Sequence, residues 1–269
     1  MPKGVGSLFR ATLLVALAVI VTGAIALAAG LGSSDDIHQT AVSDGTPIYA
    51  IHPTGEGLPL VGASGTVGAG DYASPLKSYH DSGAYMQDLG AVDQKAEDFL
   101  GRRHYPQCPA AAAANPRCRR PALVLDIDET SLSNYTNLAA SNFTNTTGQL
   151  AIGVIAGNDP VIQPTLDLYN FAKSHGVAVF FITGRPASIP VVRTQTEANL
   201  QSAGYHNWNG LILNPSPGGS VIPYKSGERA KIEQQGYDIV ANVGDQESDL
   251  RGGHADRAFR LPDPFYFIG

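Results

Sequence analysis

The sequence reads Leu123-Val-Leu-Asp-Ile-Asp-Glu-Thr130 where a short apolar run meets three acidic residues. Ala122 to Leu125 has the length and aliphatic character of a buried strand, although a short piece of core helix shows the same pattern. We interpret the run as a central strand of an open α/β sheet. Asp126 and Asp128 then project to the same side at the end of the strand, where such sheets bind their ligands.

Two carboxylates placed so closely repel each other, so the arrangement needs a cation, a shared proton or a chemical role. An Asp-x-Asp sequence after a strand is not specific by itself, because aspartate also caps helices and begins turns. Residues further along the chain favour a chemical role over a local structural one.

Helix and strand patterns alternate after this stretch, as they do in parallel βαβ units. The predicted strands are residues 177–182, 211–213, 239–243 and 258–261, and the predicted helices lie near residues 166–173, 191–203 and 228–235. We therefore predict a three-layer α/β/α, Rossmann-like parallel sheet over residues 75–269.

Residues 131–164 form a polar, turn-rich insert that we interpret as a small helical cap or loop over the strand ends. The insert contains three Asn-x-Thr sequences that match the glycosylation acceptor pattern, at Asn134, Asn142 and Asn145. They are relevant only in a host that glycosylates exported proteins.

Two segments precede the predicted sheet. Residues 33–74 are rich in Gly, Ser, Thr and Pro, with short apolar islands such as Ile48-Tyr-Ala-Ile51, and we expect a flexible linker or a loosely packed arm.

Residues 79–100 have apolar positions at spacings of three and four, which predicts an amphipathic helix. Gly83 and Gly90 weaken an unbroken helix, since each costs about 1 kcal/mol relative to alanine.

The chain has 269 residues, of which 43% are apolar and 16% charged, and its formal net charge is −6. This composition supports one good-sized core with a small accessory lobe and excludes a disordered protein. The absence of a basic run argues against a nucleic-acid-binding surface. Small anionic substrates remain compatible with the overall charge, because a local metal ion or lysine outweighs it.

Residues 1–32 have the pattern of an export signal or of an uncleaved N-terminal membrane anchor. Lys3 and Arg10 precede an uncharged stretch over residues 11–32. Closely spaced alanines favour cleavage, whereas a length near the roughly 20 residues that span a bilayer fits an anchor. We expect a secreted or cell-envelope protein that contacts the membrane only through this segment.

The two cysteines, Cys108 and Cys118, both follow the predicted export signal. In an exported protein such a pair is expected to form a disulfide bond, and the alternative is two unpaired thiols. No histidine accompanies the cysteines at metal-ligand spacing, which argues against a zinc site.

Polar clusters follow three of the predicted strands, at Asp126-Ile-Asp128, Thr183-Gly-Arg185 and Gly244-Asp-Gln-Glu-Ser-Asp249. Phosphoryl transfer through an aspartyl intermediate requires an attacking carboxylate, a proton donor, a hard cation and groups that hold the phosphate. Asp126 is the candidate nucleophile and Asp128 the candidate acid and base. Asp245 adds an oxygen ligand of the kind that Mg²⁺ prefers.

Three residues are candidates for holding the phosphate. Thr183 offers a hydroxyl, Gly184 offers a backbone that a ligand can approach closely, and Lys225 offers a compact positive charge near a helix start. Each also has a plain structural interpretation, because Thr183-Gly184 fits a strand-to-helix turn and a single lysine is more often solvated.

Four ordered motifs resemble those of the haloacid dehalogenase superfamily. They are Asp126-Ile-Asp-Glu-Thr130, Phe181-Ile-Thr-Gly-Arg185, Tyr224-Lys-Ser226 and Val243-Gly-Asp-Gln-Glu-Ser-Asp249. Longer matches, such as Ser78-Tyr-His-Asp-Ser-Gly-Ala-Tyr85, are similar to the acid phosphatase branch of this superfamily. That branch includes plant vegetative storage proteins and bacterial outer-membrane acid phosphatases.

The resemblance implies a role for each motif residue. Asp126 would attack phosphorus and Asp128 would act as general acid and base, while Thr183, Gly184 and Lys225 would bind the phosphate. The ligands of Mg²⁺ would come from Asp126, Asp128 through its backbone carbonyl, and Asp245, with Asp249 supporting the metal or holding Lys225.

The sequence therefore predicts an exported, Mg²⁺-dependent acid phosphatase that hydrolyses small phosphomonoesters through a phosphoaspartate on Asp126. Two alternatives share the predicted fold. A storage or binding protein would need no nucleophile, so Asp126 argues against it. A phosphotransferase would use the same residues and would differ only in the acceptor of the phosphoryl group.

Overall fold

A computed structural model describes residues 40–41, 46–58, 69–105, 118–216 and 221–268 of this protein. These residues form a seven-stranded sheet in which β3 is an interior strand. Its strands within these ranges are β1 (Thr40–Ala41), β2 (Pro47–Ala50), β3 (Arg120–Leu125), β4 (Ala178–Pro186), β5 (Gly210–Asn214), β6 (Tyr237–Gly244) and β7 (Arg257–Arg260). Their spatial order is β1-β2-β7-β6-β3-β4-β5. β1 pairs antiparallel with β2, and the other neighbours are parallel.

Helices cover both faces of the sheet. In the described ranges they are α1 (Ala69–Asp81), α2 (Ala84–Gly101), α3 (Tyr135–Ala140), α4 (Thr146–Ala156), α5 (Gln163–Ser174), α6 (Pro190–Ser202), α7 (Val221–Gln234) and α8 (Glu247–Leu250). Alternate side chains of β3 enter different cores, because successive residues of a strand point to opposite faces. Leu123 and Leu125 pack with α1, α2 and α5, whereas Ala122 and Val124 pack with Ile232 of α7. The predicted three-layer α/β/α fold is confirmed.

The strand order changes direction beside β3, which pairs with β4 on one side and with β6 on the other. Leu125, the last residue of β3, lies opposite Phe181 in β4 and Val243 in β6. The backbone N–H of Asp126 then donates to the Val243 carbonyl at 3.0 Å. Residues that follow β3 and β6 are therefore brought side by side at the crevice where open α/β sheets bind ligands.

The predicted cap insert contains α3 and α4, which lie between β3 and β4 in the chain. Its two ends are held together at the strand ends. Leu132 forms isolated bridges with Asp128 and Val161, and the backbone N–H of Ser133 donates to the Pro160 carbonyl at 2.9 Å. The cap thus begins and ends next to the Asp126-Ile-Asp128 turn.

The interpretation of residues 33–74 as a linker was wrong for part of that range. β2 pairs with β7 in parallel, and Ile48 is buried against Leu250 and Ala258. α1 also begins at Ala69, before the predicted boundary at residue 75. The apolar island around Ile48 was too short to predict a strand, because its burial depends on β7, more than two hundred residues later in the chain.

The predicted helix over residues 79–100 is divided in two. α1 ends at Asp81 and α2 begins at Ala84, with Gly83 between them at φ 84°. This left-handed conformation favours glycine and ends the first helix.

The predicted export segment 1–32 and Cys108 lie outside the described residues. Cys118 precedes β3, and its disulfide bond with Cys108 stays a prediction. Within the described part of the chain, none of the helices combines the length and the apolar character that crossing a membrane requires.

Candidate active site

Asp126 lies buried at the end of β3, where it contacts a lysine from another element. The Nζ atom of Lys225 lies 2.6 Å from Oδ1 of Asp126 and also contacts Oδ1 of Asp249. Lys225 comes from α7, and Asp249 comes from α8, which follows β6. Among the described residues, no donor contacts Oδ2 of Asp126, so this oxygen is left for a ligand or for attack.

Three buried carboxylates gather at this point. Asp126, Asp245 and Asp249 each offer an oxygen atom within 4.8 Å of those of the other two. Thr130 donates its hydroxyl to Oδ1 of Asp245 at 2.9 Å, and the Gln246 side-chain amide donates to Oδ2 at 2.5 Å. A backbone hydrogen bond also holds Asp249 near Asp245, because the N–H of the next residue, Gln246, donates to Oδ2 of Asp249 at 2.9 Å.

Burial and the repulsion of neighbouring acids make Asp126 and Asp245 difficult to ionise. Burial, together with the charge of Asp249, raises the pKa of Asp126 to about 7, although Lys225 opposes the shift. Burial and the neighbouring acids Asp249 and Asp263 raise the pKa of Asp245 well above its usual value. For Lys225, burial alone would lower the pKa, but Asp126 and Asp249 raise it, so the lysine stays charged.

The donor set fits a hard divalent cation. Its ligand atoms are carboxylate oxygens, and the group includes no histidine or cysteine of the described chain. One lysine is too little positive charge for three buried carboxylates, and a divalent cation would remove the remaining repulsion. Oxygen ligands with open positions are typical of Mg²⁺ sites.

Asp128 does not join the carboxylate group, because its side chain is bound by Arg185 of β4. The Arg185 Nε atom lies 3.0 Å from Oδ2 of Asp128, and Nη2 lies 2.8 Å from Oδ1. Asn134 donates its amide to the same Oδ1 at 2.9 Å. Burial alone would raise the pKa of Asp128, but the charge and hydrogen bonds of Arg185 hold it below its usual value. The metal contact predicted for the Asp128 backbone carbonyl stays a prediction.

Thr183 and Gly184 lie near the end of β4, shortly after Phe181, which pairs with Leu125 directly before Asp126. Thr183 is fully buried, and its hydroxyl accepts a hydrogen bond from the Arg185 backbone N–H at 3.2 Å. A Cβ atom placed on Gly184 would meet only open space, so the backbone at this position is accessible. The structure thus leaves open space beside the half-buried Gly184, while Thr183 also completes a local turn.

Sequence reasoning missed several residues of this site, among them Arg185 and Asn134. Arg185 was quoted within a motif but given no role. Asn134 was considered only because it matches the glycosylation acceptor pattern, yet it is fully buried and donates to Asp128 and, at 3.2 Å, to Oε2 of Glu129. A glycan on Asn134 is incompatible with this burial, whereas Asn142 and Asn145 are exposed.

Residues 67–269 match a protein-family model described as the HAD superfamily, subfamily IIIB (acid phosphatase). The chain belongs to this family. Because the match includes the whole sheet from β3 to β7 together with the cap, it covers every residue of the candidate site.

Proteins with different names resemble the chain. The stem 28 kDa glycoprotein of Glycine max is 44% identical over 117 residues, which are 42% of this chain and 45% of that protein. Acid phosphatase 1 of Solanum lycopersicum is 36% identical over 155 residues, which are 55% of this chain and 60% of that protein. Vegetative storage protein 1 of Arabidopsis thaliana is 31% identical over 150 residues, or 54% of each chain. The chain thus spans about half the length of these relatives.

A solved structure supports the fold. The class C acid phosphatase of Bacillus anthracis superposes with a TM-score of 0.54 at 21% identity, covering 71% of this chain and 82% of that one. At this identity the likeness establishes the α/β fold and leaves the activity to be argued from the site.

Proposed function

We propose that the chain is a Mg²⁺-dependent phosphomonoesterase that acts through a phosphoaspartate on Asp126. The observation that carries the proposal is the hydrogen bonding of this carboxylate. Lys225 binds one of its oxygens, and no donor among the described residues contacts the other, although oxygens of Asp245 and Asp249 lie within 4.8 Å of the Asp126 carboxylate. A residue with only a structural role would be expected to have both oxygens satisfied.

In the first step, a carboxylate oxygen of Asp126 forms a bond to phosphorus as the bond to the leaving oxygen breaks. The protonated form of Asp128, which the low pKa of this carboxyl group confines to acidic solution, gives its proton to the leaving oxygen, so an alcohol departs and Asp128 becomes a carboxylate. Arg185 and Asn134 then stabilise this carboxylate through the hydrogen bonds that they donate to it in the structure.

In the second step, water attacks phosphorus and its proton passes to Asp128. The bond between phosphorus and Asp126 breaks, which releases phosphate and restores both carboxyl groups to their starting states. Bound Mg²⁺ would polarise the phosphoryl oxygens and offset the charge of the acids. Asp126, Asp245 and Asp249 are the residues that would hold it.

Lys225, Thr183 and Gly184 are proposed to bind the phosphoryl group. Lys225 keeps its charge in the buried site and already contacts the attacking carboxylate. The Gly184 backbone is open to a ligand, and the Thr183 hydroxyl lies beside it. These donors would stabilise the negative charge that develops on the phosphoryl oxygens.

A storage protein on the same fold is the second candidate, since a relative is named for that role. The presence of Asp126 argues for catalysis, because storage needs no nucleophile. A phosphotransferase would differ from the hydrolase only in passing the phosphoryl group to an alcohol, and product analysis with an added alcohol separates the two.

Export is part of the proposal. It is supported by Lys3 and Arg10 followed by the uncharged residues 11–32. The same compartment would favour a disulfide bond between Cys108 and Cys118. Mass analysis of unreduced, exported protein should find a mature form or an anchored form with these two cysteines linked, and two freely alkylated thiols would refute the link.

The direct test is a panel of phosphomonoesters offered to the purified chain with excess Mg²⁺ or with excess chelator. The proposal predicts release of inorganic phosphate that stops on chelation and returns with Mg²⁺. Full activity in excess chelator would contradict the metal dependence, and no turnover of any ester would favour storage.

A further inference from the structure

Asp159 is a buried carboxylate that lies between the cap and the residues around Asp128. It belongs to the segment that returns from α4 to α5, and 3% of its surface is exposed. Asn199 of α6 fixes its backbone from both sides. The Asn199 amide oxygen accepts from the Asp159 N–H at 2.9 Å, and the amide nitrogen donates to the Asp159 carbonyl at 2.8 Å. The position of Asp159 therefore does not depend on the charge of its own side chain.

The Asp159 carboxylate is poorly hydrogen-bonded for its depth. Oδ1 accepts a long bond of 3.4 Å from Asn137, and Oδ2 has no hydrogen bond from the described residues. A buried carboxylate in this state costs free energy unless an opposite charge lies near it. That charge is Arg185, whose Nη2 atom lies 3.5 Å from Oδ2.

Arg185 is shared between two carboxylates. Its Nη2 atom donates to Asp128 at 2.8 Å and lies 3.5 Å from Asp159, while Nη1 donates to Thr196 of α6 at 3.0 Å. Nη2 therefore lies between the two carboxylates, while the Thr196 contact holds the other amino group of the guanidinium. Because Asp159 is held by Asn199, it presents a fixed second acceptor.

We propose that Asp159 is a positioning residue for Asp128 and acts on it through Arg185. This inference rests on the proposed function. Nη2 lies between the two carboxylates, so each limits how far the guanidinium can turn toward the other. Asp159, fixed by Asn199, thus keeps Arg185 from closing further on Asp128 and helps to set the orientation of the Asp128 carboxyl group.

The variant Asp159→Asn tests this role, because asparagine has the same shape and the Asn199 hydrogen bonds use only the backbone. Without the second carboxylate, Arg185 should hold Asp128 more firmly. We expect the loss of kcat to depend on the leaving group. An alkyl phosphate, which needs the proton, should lose about tenfold, part of the 10²–10⁴-fold that general acid catalysis contributes, and an activated aryl phosphate should change by less than about twofold.

Two further variants make the test specific. Asp167→Asn removes a negative charge from an exposed position of α5 and should leave the kcat of both substrates unchanged. In the Asp128→Asn background, Asp159→Asn should have no further effect, since it acts only through Asp128. Equal loss on both substrates, or a further loss in the Asp128→Asn background, would show a merely structural role and overturn the inference.

The result also separates this inference from the proposed function. A wild-type chain that hydrolyses neither ester would overturn both. An active wild type whose Asp128→Asn variant shows the leaving-group effect, together with an Asp159→Asn variant that behaves as wild type, would overturn the inference alone.

Discussion

The Nζ atom of Lys225 lies 2.6 Å from Oδ1 of Asp126 and also contacts Asp249, so one buried ammonium group holds two buried carboxylates. These residues come from α7, from the end of β3 and from α8, so the contact joins three separate parts of the chain. The same lysine would bind the substrate phosphate. Its loss should therefore affect both the stability of the site and catalysis.

Lys225→Gln should lower both stability and activity. Removing one partner of a buried charge pair typically costs about 3–5 kcal/mol, because the remaining charges lose their compensation. Loss of a group that stabilises charge in the transition state typically lowers kcat by about 10²–10³-fold. Thermal unfolding and steady-state kinetics measure the two effects.

Lys231→Gln is the matched control, since Lys231 is an exposed residue of the same helix that pairs with Glu228 at 2.6 Å. Its free energy of unfolding should stay within about 0.5 kcal/mol of wild type, as is usual for surface substitutions. Similar losses in the two lysine variants would contradict the role given to Lys225.

Mg²⁺ should stabilise the wild-type protein against unfolding, because it would bind the folded acids and not the unfolded chain. At a free concentration of one hundred times the Kd, the gain is about 2.7 kcal/mol. In Asp245→Asn, which removes one of the three carboxylates, the gain should be much smaller. Calorimetry with and without Mg²⁺ measures this difference, and an equal shift of Tm in the two proteins would exclude Asp245 as a ligand.

Asp93 should make the protein less stable as the pH rises. It is buried between α2 and α5, where Thr165 donates to Oδ2 at 2.9 Å and Oδ1 has no partner among the described residues. Burial raises its pKa to about 7, with smaller contributions from Asp167 and Glu97. The folded state therefore favours the protonated acid, and the stability this gives is complete below pH 4 and declines as the pH rises to about 7.

Asp93→Asn, which stays neutral, should become more stable relative to wild type over this range, by up to about 4 kcal/mol on the scale of 1.36 kcal/mol per pKa unit. Asp98→Asn, a change on the same helix at a partly exposed ion pair, is the control. Urea unfolding at pH 4.5 and pH 8 measures the difference. A gap between wild type and Asp93→Asn that does not change with pH would refute the prediction.

The sequence predicted the central sheet because its signals are local. Each of β3, β4 and β6 is an apolar run that ends in polar residues, and parallel strands bring such ends to one edge. Asp126, Asp245 and Asp249 could thus be expected to meet, as they do. β2 was missed because Ile48 becomes buried only through pairing with β7.

The surroundings of Asp128 could not be predicted from local pattern. Its partner Arg185 is 57 residues away in the chain, and Asp159 reaches the same guanidinium from the far end of the cap. Asn134 lies close in sequence, but its Asn-x-Thr pattern pointed to the surface, whereas the tight turn after β3 places it in the interior. These contacts depend on how the cap folds back over the strand ends, which residue spacing does not specify.

The central claim is that Asp126 and Asp128 have different tasks in phosphoryl transfer. Acid-quenched single-turnover labelling with a radiolabelled aryl phosphate compares them most directly. Asp126→Asn should form no covalent phosphoprotein, because it lacks the nucleophile. Asp128→Asn should accumulate the phosphoprotein, since an activated aryl group leaves without its proton whereas the water of the second step still needs a base. A covalent phosphate on Asp126→Asn, or equal loss of labelling in both variants, would contradict this account.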